Sequence, residues 1–214
     1  MLKMLAEGLR VGILDLTTGE PTPHGSLAVR ERETAAASQV LGITWRFNAG
    51  LTNRMLVADL PARQRVASII RLTRPRMLFA PYWEDAHPDH VAATALVEAA
   101  RFWAKLSKTE LAGQPNLAGN PHHPERLYYY YCIHLRLAVR PDVILDISEH
   151  WEDKLRAICC YESQFITGRP TTSPTLVVRF RDDAAYWGRL INRRYGEPLA
   201  TREPLALHSL AHLI

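Results

Sequence analysis

The chain has 214 residues, 47% hydrophobic and 22% charged, the length and balance of one soluble globular domain with its own core. No apolar run approaches the about 20 residues of a membrane span, and the N-terminal MLKMLAEGLR is too acidic and too poor in apolar residues for a secretion signal, so a cytoplasmic protein is expected. A net charge of +4 invites a nucleic-acid partner, but the arginines are dispersed and no binding motif accompanies them; anionic small molecules explain the charge equally well, and neither a nucleic-acid nor a membrane partner is expected.

Residues 1–8 read as the last turns of a helix closed by Gly8, leading into a buried strand, LRVGILDL (9–16). TTGEPTPHGS (17–26) is a loop, and LAVRERETAAASQVLG (27–42) a helix with Leu27, Ala35 and Leu41 among its inward positions. ITWRF (43–47) is a second strand. Asp59 then caps a helix that has Pro61 in its first turn and runs through Arg74, with Val66, Ile69, Ile70 and Thr73 on one face. RMLFA (76–80) is a third strand and 91–106 a helix with Phe102 and Trp103 in its core face.

Alternating strands and helices of this kind predict an α/β fold, a Rossmann-like, doubly wound, mostly parallel sheet with helices on both faces, in a single domain over 1–214. Two further strands are expected at 126–133 and 142–147. In the first, the tyrosines 128–131 alternate between inner and outer faces. Ser148 caps a helix through Phe165 with Trp151, Leu155 and Ile158 as its stripe; 182–196 is a last helix before a proline-punctuated tail. That tail (197–214) either folds back or supports a homo-oligomer. The three cysteines are odd in number and lack C-x-x-C spacing, which predicts reduced, mostly buried thiols rather than a disulfide or structural zinc framework.

The chemistry concentrates in PYWEDAHPDH (81–90), immediately after the third strand. Ligands of open α/β sheets bind beyond the carboxyl ends of the strands, and His87 and His90 lie there, close enough to converge. A neutral imidazole is a good zinc ligand, and Asp85 or Asp89 can fix its tautomer. The plain alternative is a polar loop whose Asp89 caps a helix while the histidines only hydrogen-bond.

PYWEDAHPDH resembles the second signature of the LmbE-like, or PIG-L, zinc-dependent N-deacetylases. AEGLRVGILDLTTGE, the R-x-R-E-T-A-A-A helix (30–37), LGITWRFNAGL and IIRLTRPRMLFAPYWED fit as well. LDISEHWEDKLRAICCYESQF (145–165) and RYGEPLATREPL (194–205) are similar to a narrower branch, the bacillithiol-pathway deacetylase of N-acetylglucosaminyl-malate. The resemblance implies amide hydrolysis by a zinc-activated water, with His90 as a zinc ligand, His87 stabilising the oxyanion or acting as acid, and Asp89 orienting a histidine. It also implies a small amino-sugar conjugate as partner, with Glu20, His24, Arg30, Trp83 and His134 as candidate substrate residues. His24 stands where members commonly carry an arginine, so it would hold an anionic group more weakly.

The family's opening strand and its Ala-His-Pro-Asp-Asp motif, source of two zinc ligands and the general base, have no counterpart in this chain. The expectation is therefore an N-terminally truncated deacetylase domain, lacking the family's first strand and most of its first helix, unstable and inactive as it stands. The alternative is a non-catalytic remnant that binds a sugar or protein partner.

Overall fold

The computed structural model describes the chain except residues 109–117, 133, 135–138, 168, 170–172, 207–208 and 210–214. Its elements are α1 (Leu2–Ala6), β1 (Gly12–Thr17), α2 (Leu27–Leu41), β2 (Trp45–Leu51), α3 (Leu60–Thr73), β3 (Met77–Pro81), α4 (Pro88–Ala104), β4 (Arg126–Tyr130), β5 (Val143–Asp146), a single 3-10 turn (Ser148–His150), α5 (Trp151–Cys159), α6 (Glu162–Phe165), α7 (Leu176–Leu190) and β6 (Gly196–Ala200). The fold is mixed α/β. Its contacts fall into two units, one of residues 1–57 and 144–198, the other of 58–143 and 199–214.

In the first unit β1 and β2 pair in parallel, Gly12 opposite Trp45 and Asp15 opposite Asn48. Glycine is required at position 12, because a Cβ there would lie 2.1 Å from the Trp45 ring. Arg46 grips Asp15 across the pair with two hydrogen bonds of 2.6 and 2.9 Å. Ser26 caps α2 by accepting from the Val29 amide, and Gly42 closes it at φ 66°. The inward face of α2 is not the one expected. Leu27 and Ala35 are exposed, while Glu33 and Ala37 are buried. Glu33 tolerates burial because its carboxylate accepts from the Ser163 amide (2.6 Å) and hydroxyl (2.8 Å), partners 130 residues away.

The expected helix from Ser148 through Phe165 is broken. Ser148 does not cap it; its amide and hydroxyl both donate to Asp146 Oδ1, at 3.0 and 2.6 Å, and the helix is interrupted at Tyr161, with ψ 57°. The last helix also begins earlier than expected, capped by Thr175, and ends at Leu190. Gly188 allows it to pack: a Cβ there would sit 2.6 Å from the Tyr195 amide nitrogen.

The Ser148 hydrogen bonds, with Arg193 at 3.1 Å, hold the Asp146 carboxyl below its usual range. A depressed folded-state pKa contributes stability that is fully present above the unfolded value of about 4 and is lost as pH falls through the folded one. We expect urea midpoints measured from neutral pH to about pH 2.5 to fall less steeply in Asp146→Asn than in the parent. Identical acid limbs would exclude Asp146 as a contributor.

In the second unit α3 packs on α4, and β3 pairs in parallel with β4 from Met77–Arg126 to Pro81–Tyr130. Asp59 caps α3 as expected, accepting from the Ala62 amide at 2.9 Å, and Val66 and Ile70 are buried. The same face carries Arg71, whose guanidinium donates to the carbonyls of Ala104 (3.0 Å), Leu106 (2.5 Å) and Gly119 (3.2 Å). Phe102, expected in the core, is 53% exposed and lies beneath the Lys105 ammonium. Part of the expected tail is in fact β6, whose Leu199 and Ala200 pair antiparallel with Tyr130 and Tyr129 and are buried. The cysteines are free and half-buried rather than mostly buried. Among the described residues no helix is long and apolar enough to cross a membrane.

Candidate metal centre

Because β3 and β4 run parallel in one register, their carboxyl ends finish side by side. The Tyr82 amide extends the pairing by one bond, donating to the Tyr130 carbonyl at 2.8 Å. Segment 82–90 and residues Tyr131, Cys132 and His134 therefore lie at the same edge of the sheet. Thr94 ties the start of α4 to this edge by donating to the Pro81 carbonyl at 2.7 Å.

The turn into α4 is built by its own side chains. Asp85 Oδ1 accepts from the His87 amide at 2.7 Å. His87 is the N-cap of α4, its Nδ1 accepting from the Asp89 amide at 3.2 Å, and Pro88 opens the first turn. His90 Nδ1 meets Asp85 Oδ2 at 3.0 Å. These bonds set the two imidazoles to opposite tautomers. His87 accepts a hydrogen bond at Nδ1, so the hydrogen of its neutral ring is on Nε2. His90 gives its Nδ1 hydrogen to the carboxylate, so its Nε2 offers a bare lone pair. One neutral ring thereby offers a donor and its neighbour an acceptor.

The rings of His87 and His90 stack at 4.6 Å, and that of His134 lies 5.7 and 5.8 Å from them. Thus His87, His90 and His134 are brought together as candidates. Asp89 acts on His87 through its backbone amide, while the carboxylate that orients His90 belongs to Asp85. Burial pushes Asp85 upward, but the bonds from His90 and the His87 amide outweigh it and hold the carboxyl below its usual value. Cys132, at the end of β4, completes a group that the sequence reading missed. Single ligand atoms of Asp85, His90 and Cys132 all lie within 4.8 Å of one another. Burial, with the charge of Asp85, pushes the Cys132 thiol up to about 12. No spacing rule links Cys132 to the histidine motif; only the β3–β4 pairing does.

Trp83 packs instead among aromatic side chains, 4.1 Å from Tyr82 and edge-on to Tyr129, with the Arg202 guanidinium 4.5 Å over its ring. The other candidates lie in the first unit. Glu20 is committed to its own loop, accepting from the Thr22 amide (2.8 Å) and hydroxyl (2.7 Å), and His24 is exposed. Arg30 sits between Glu20 (3.8 Å) and Glu33 (3.5 Å), 5.0 Å above the Tyr161 ring, and its buried Nε and Nη1 have no hydrogen-bond partner among the described residues.

The fold places the chain first. It superimposes on the conserved protein TT1542 from Thermus thermophilus with a TM-score of 0.85 and 34% identity, over 96% of this chain and 87% of that one. Residues 1–101 match the PIG-L family model, described as GlcNAc-PI de-N-acetylase. The diacetylchitobiose deacetylase of Thermococcus kodakarensis is 29% identical over 217 residues, 95% of this chain and 74% of that protein. The 4-oxalmesaconate hydratase of Pseudomonas putida is 28% identical over 152 residues, 68% of this chain and 55% of that protein. The chain belongs to the PIG-L family.

Proposed function

We propose that this chain carries the site of a zinc-dependent N-deacetylase acting on an N-acetylglucosamine conjugate, N-acetylglucosaminyl-malate being the substrate favoured by its C-terminal half. The observation that carries the reading is the pair of hydrogen bonds, Asp89 amide to His87 Nδ1 and His90 Nδ1 to Asp85, which fix opposite tautomers of the two neutral rings. Family membership and the similarity to a diacetylchitobiose deacetylase support it.

The donor chemistry fits zinc, which takes imidazole, carboxylate and thiolate ligands. His90 would hold the ion through Nε2, with Asp85 fixing the ring. When bound, the ion supplies a water acidic enough to attack an amide carbonyl. His87, whose ring stacks on His90 at 4.6 Å, carries an Nε2–H suited to an oxygen that gains negative charge as the carbonyl is attacked. The same hydrogen can then pass to the departing amine.

A second reading, a sugar-binding chain without catalysis, is favoured by one feature. Both oxygens of Asp85 are already committed, to the His87 amide and to His90, so the carboxylate of the cluster is not available to take a proton from water. One experiment separates the two. The chain is equilibrated with zinc and N-acetylglucosaminyl-malate, and free amine and bound conjugate are both measured. Chelator-sensitive amine release supports the deacetylase; binding without release supports the second reading; neither rejects both.

A further inference from the structure

We infer that Arg202 is a positioning residue for the histidine turn: stacked on Trp83 from the segment that follows β6, it holds the turn carrying His87 and His90 in place at the carboxyl ends of β3 and β4. This rests on the reading above that the two histidines do the chemistry.

The bonds inside the turn join Asp85, His87, Asp89 and His90 to one another and fix the tautomers, but they do not attach the turn to the sheet. Attachment comes from either side of it. After the turn, the Thr94 hydroxyl holds the Pro81 carbonyl. Before it, Glu84 is exposed, and Trp83 is the side chain that seats the chain on the core. Its indole packs against the cluster of Ala80, Leu127, Tyr129 and Ala200, with the Tyr82 ring at 4.1 Å and the Tyr129 ring edge-on at 5.0 Å. The Arg202 guanidinium lies over the same indole, 4.5 Å from its centre. The ring quadrupole attracts the cation, and a flat guanidinium covers the ring as an ammonium cannot.

Arg202 is delivered by a segment bound on two sides. Leu199 and Ala200 pair with β4, and Glu203 takes two bonds from Arg101 of α4, at 2.5 and 3.3 Å. The Arg202 guanidinium itself lies 3.4 Å from Glu98, whose carboxylate also accepts from the Tyr129 hydroxyl at 2.6 Å. A displacement of about 1 Å at a reacting group can cost about a hundredfold in rate. A side chain that touches no reacting atom can therefore set the rate through the place of the turn.

The test compares the 214-residue chain with Arg202→Ala and Arg202→Lys, the lysine keeping a cation beside Glu98 but no flat group over the indole. Imidazole carbon–hydrogen signals of isotope-labelled chains are recorded without metal or substrate, together with urea midpoints. Amine release from N-acetylglucosaminyl-malate with zinc is followed as kcat and KM. In Arg202→Ala the His87 and His90 signals are expected to shift, while those of His24 and His150, which lie in the first unit, stay. The expected kinetic loss is at least about tenfold in kcat with KM held within about twofold. Arg202→Lys is expected to recover most of the urea midpoint and little of kcat, a split that a merely stabilising role would not give. Should Arg202→Ala fail to fold, Arg202→Lys carries the same comparison. Unmoved His87 and His90 signals, or an unchanged kcat, in a folded variant overturn the assignment. A parent chain that releases no amine overturns the deacetylase reading instead, and the imidazole signals then decide the role of Arg202 by themselves.

Discussion

Replacing His90 with alanine is expected to weaken zinc binding at least about a hundredfold, the upper end of what even indirect partners of a ligand cost, and with it any amine release. The same substitution is expected to lower stability. Asp85 has a side chain only 1% exposed, and His90 is one of two groups bonded to its carboxylate. Leaving a buried acceptor short of a partner costs about 1–3 kcal/mol. The two losses can be separated with His90→Asn, whose amide nitrogen can donate to Asp85 but cannot present an imidazole to the ion. Asparagine should therefore recover much of the urea midpoint and none of the zinc affinity. Zinc retained stoichiometrically by His90→Ala after dialysis would remove His90 from the site and leave the histidine pair a purely structural helix cap.

Trp151→Ala is expected to destabilise the chain by about 3–5 kcal/mol, the range for deleting a large buried aromatic ring. Trp151 is 1% exposed, in a cluster with Ile147, Ala184 and Tyr195, with Leu145, Leu155, Phe180 and Ala185 packed around it. Its ring stacks on Tyr195 at 4.6 Å, so truncation removes both apolar burial and an aromatic pair. The cluster ties β5, the start of α5, α7 and the residue before β6 to one another. Trp151→Phe should cost far less, about 1 kcal/mol. The phenyl ring keeps the stack, and the change removes an indole N–H that is buried without a hydrogen-bond partner among the described residues. A midpoint for Trp151→Ala within error of the parent would show that this cluster does not hold the first unit together.

How far these features are legible in the sequence depends on the range of the interaction behind each. The cap at Asp59, the proline after it and the Val66/Ile70 face place α3 to within a residue, because each acts over one helical turn. The His87 to His90 motif is of the same kind. Its hydrogen bonds join residues two to five positions apart, so the chain builds both tautomers almost unaided, and the spacing is enough to single it out.

Other features have no local cause. Glu33 reads as a solvent-facing residue until Ser163 arrives to satisfy it. Residues 196–200, with a proline among them, make a strand because β4 offers an edge to pair with. Helix α5 ends before α6 although the composition would carry one helix through, since the backbone turns at Tyr161. Cys132 is the clearest case. It follows a run of strand tyrosines, and no spacing rule ties it to the histidine motif more than 40 positions earlier. By itself the sequence determined most of the elements, the Asp59 cap and the histidine pair, all set by backbone geometry within a few residues. Which thiol stands beside His90 was decided only when β3 and β4 came into parallel register, since pairing between strands some 50 positions apart is fixed by burial of their faces and not by any local pattern.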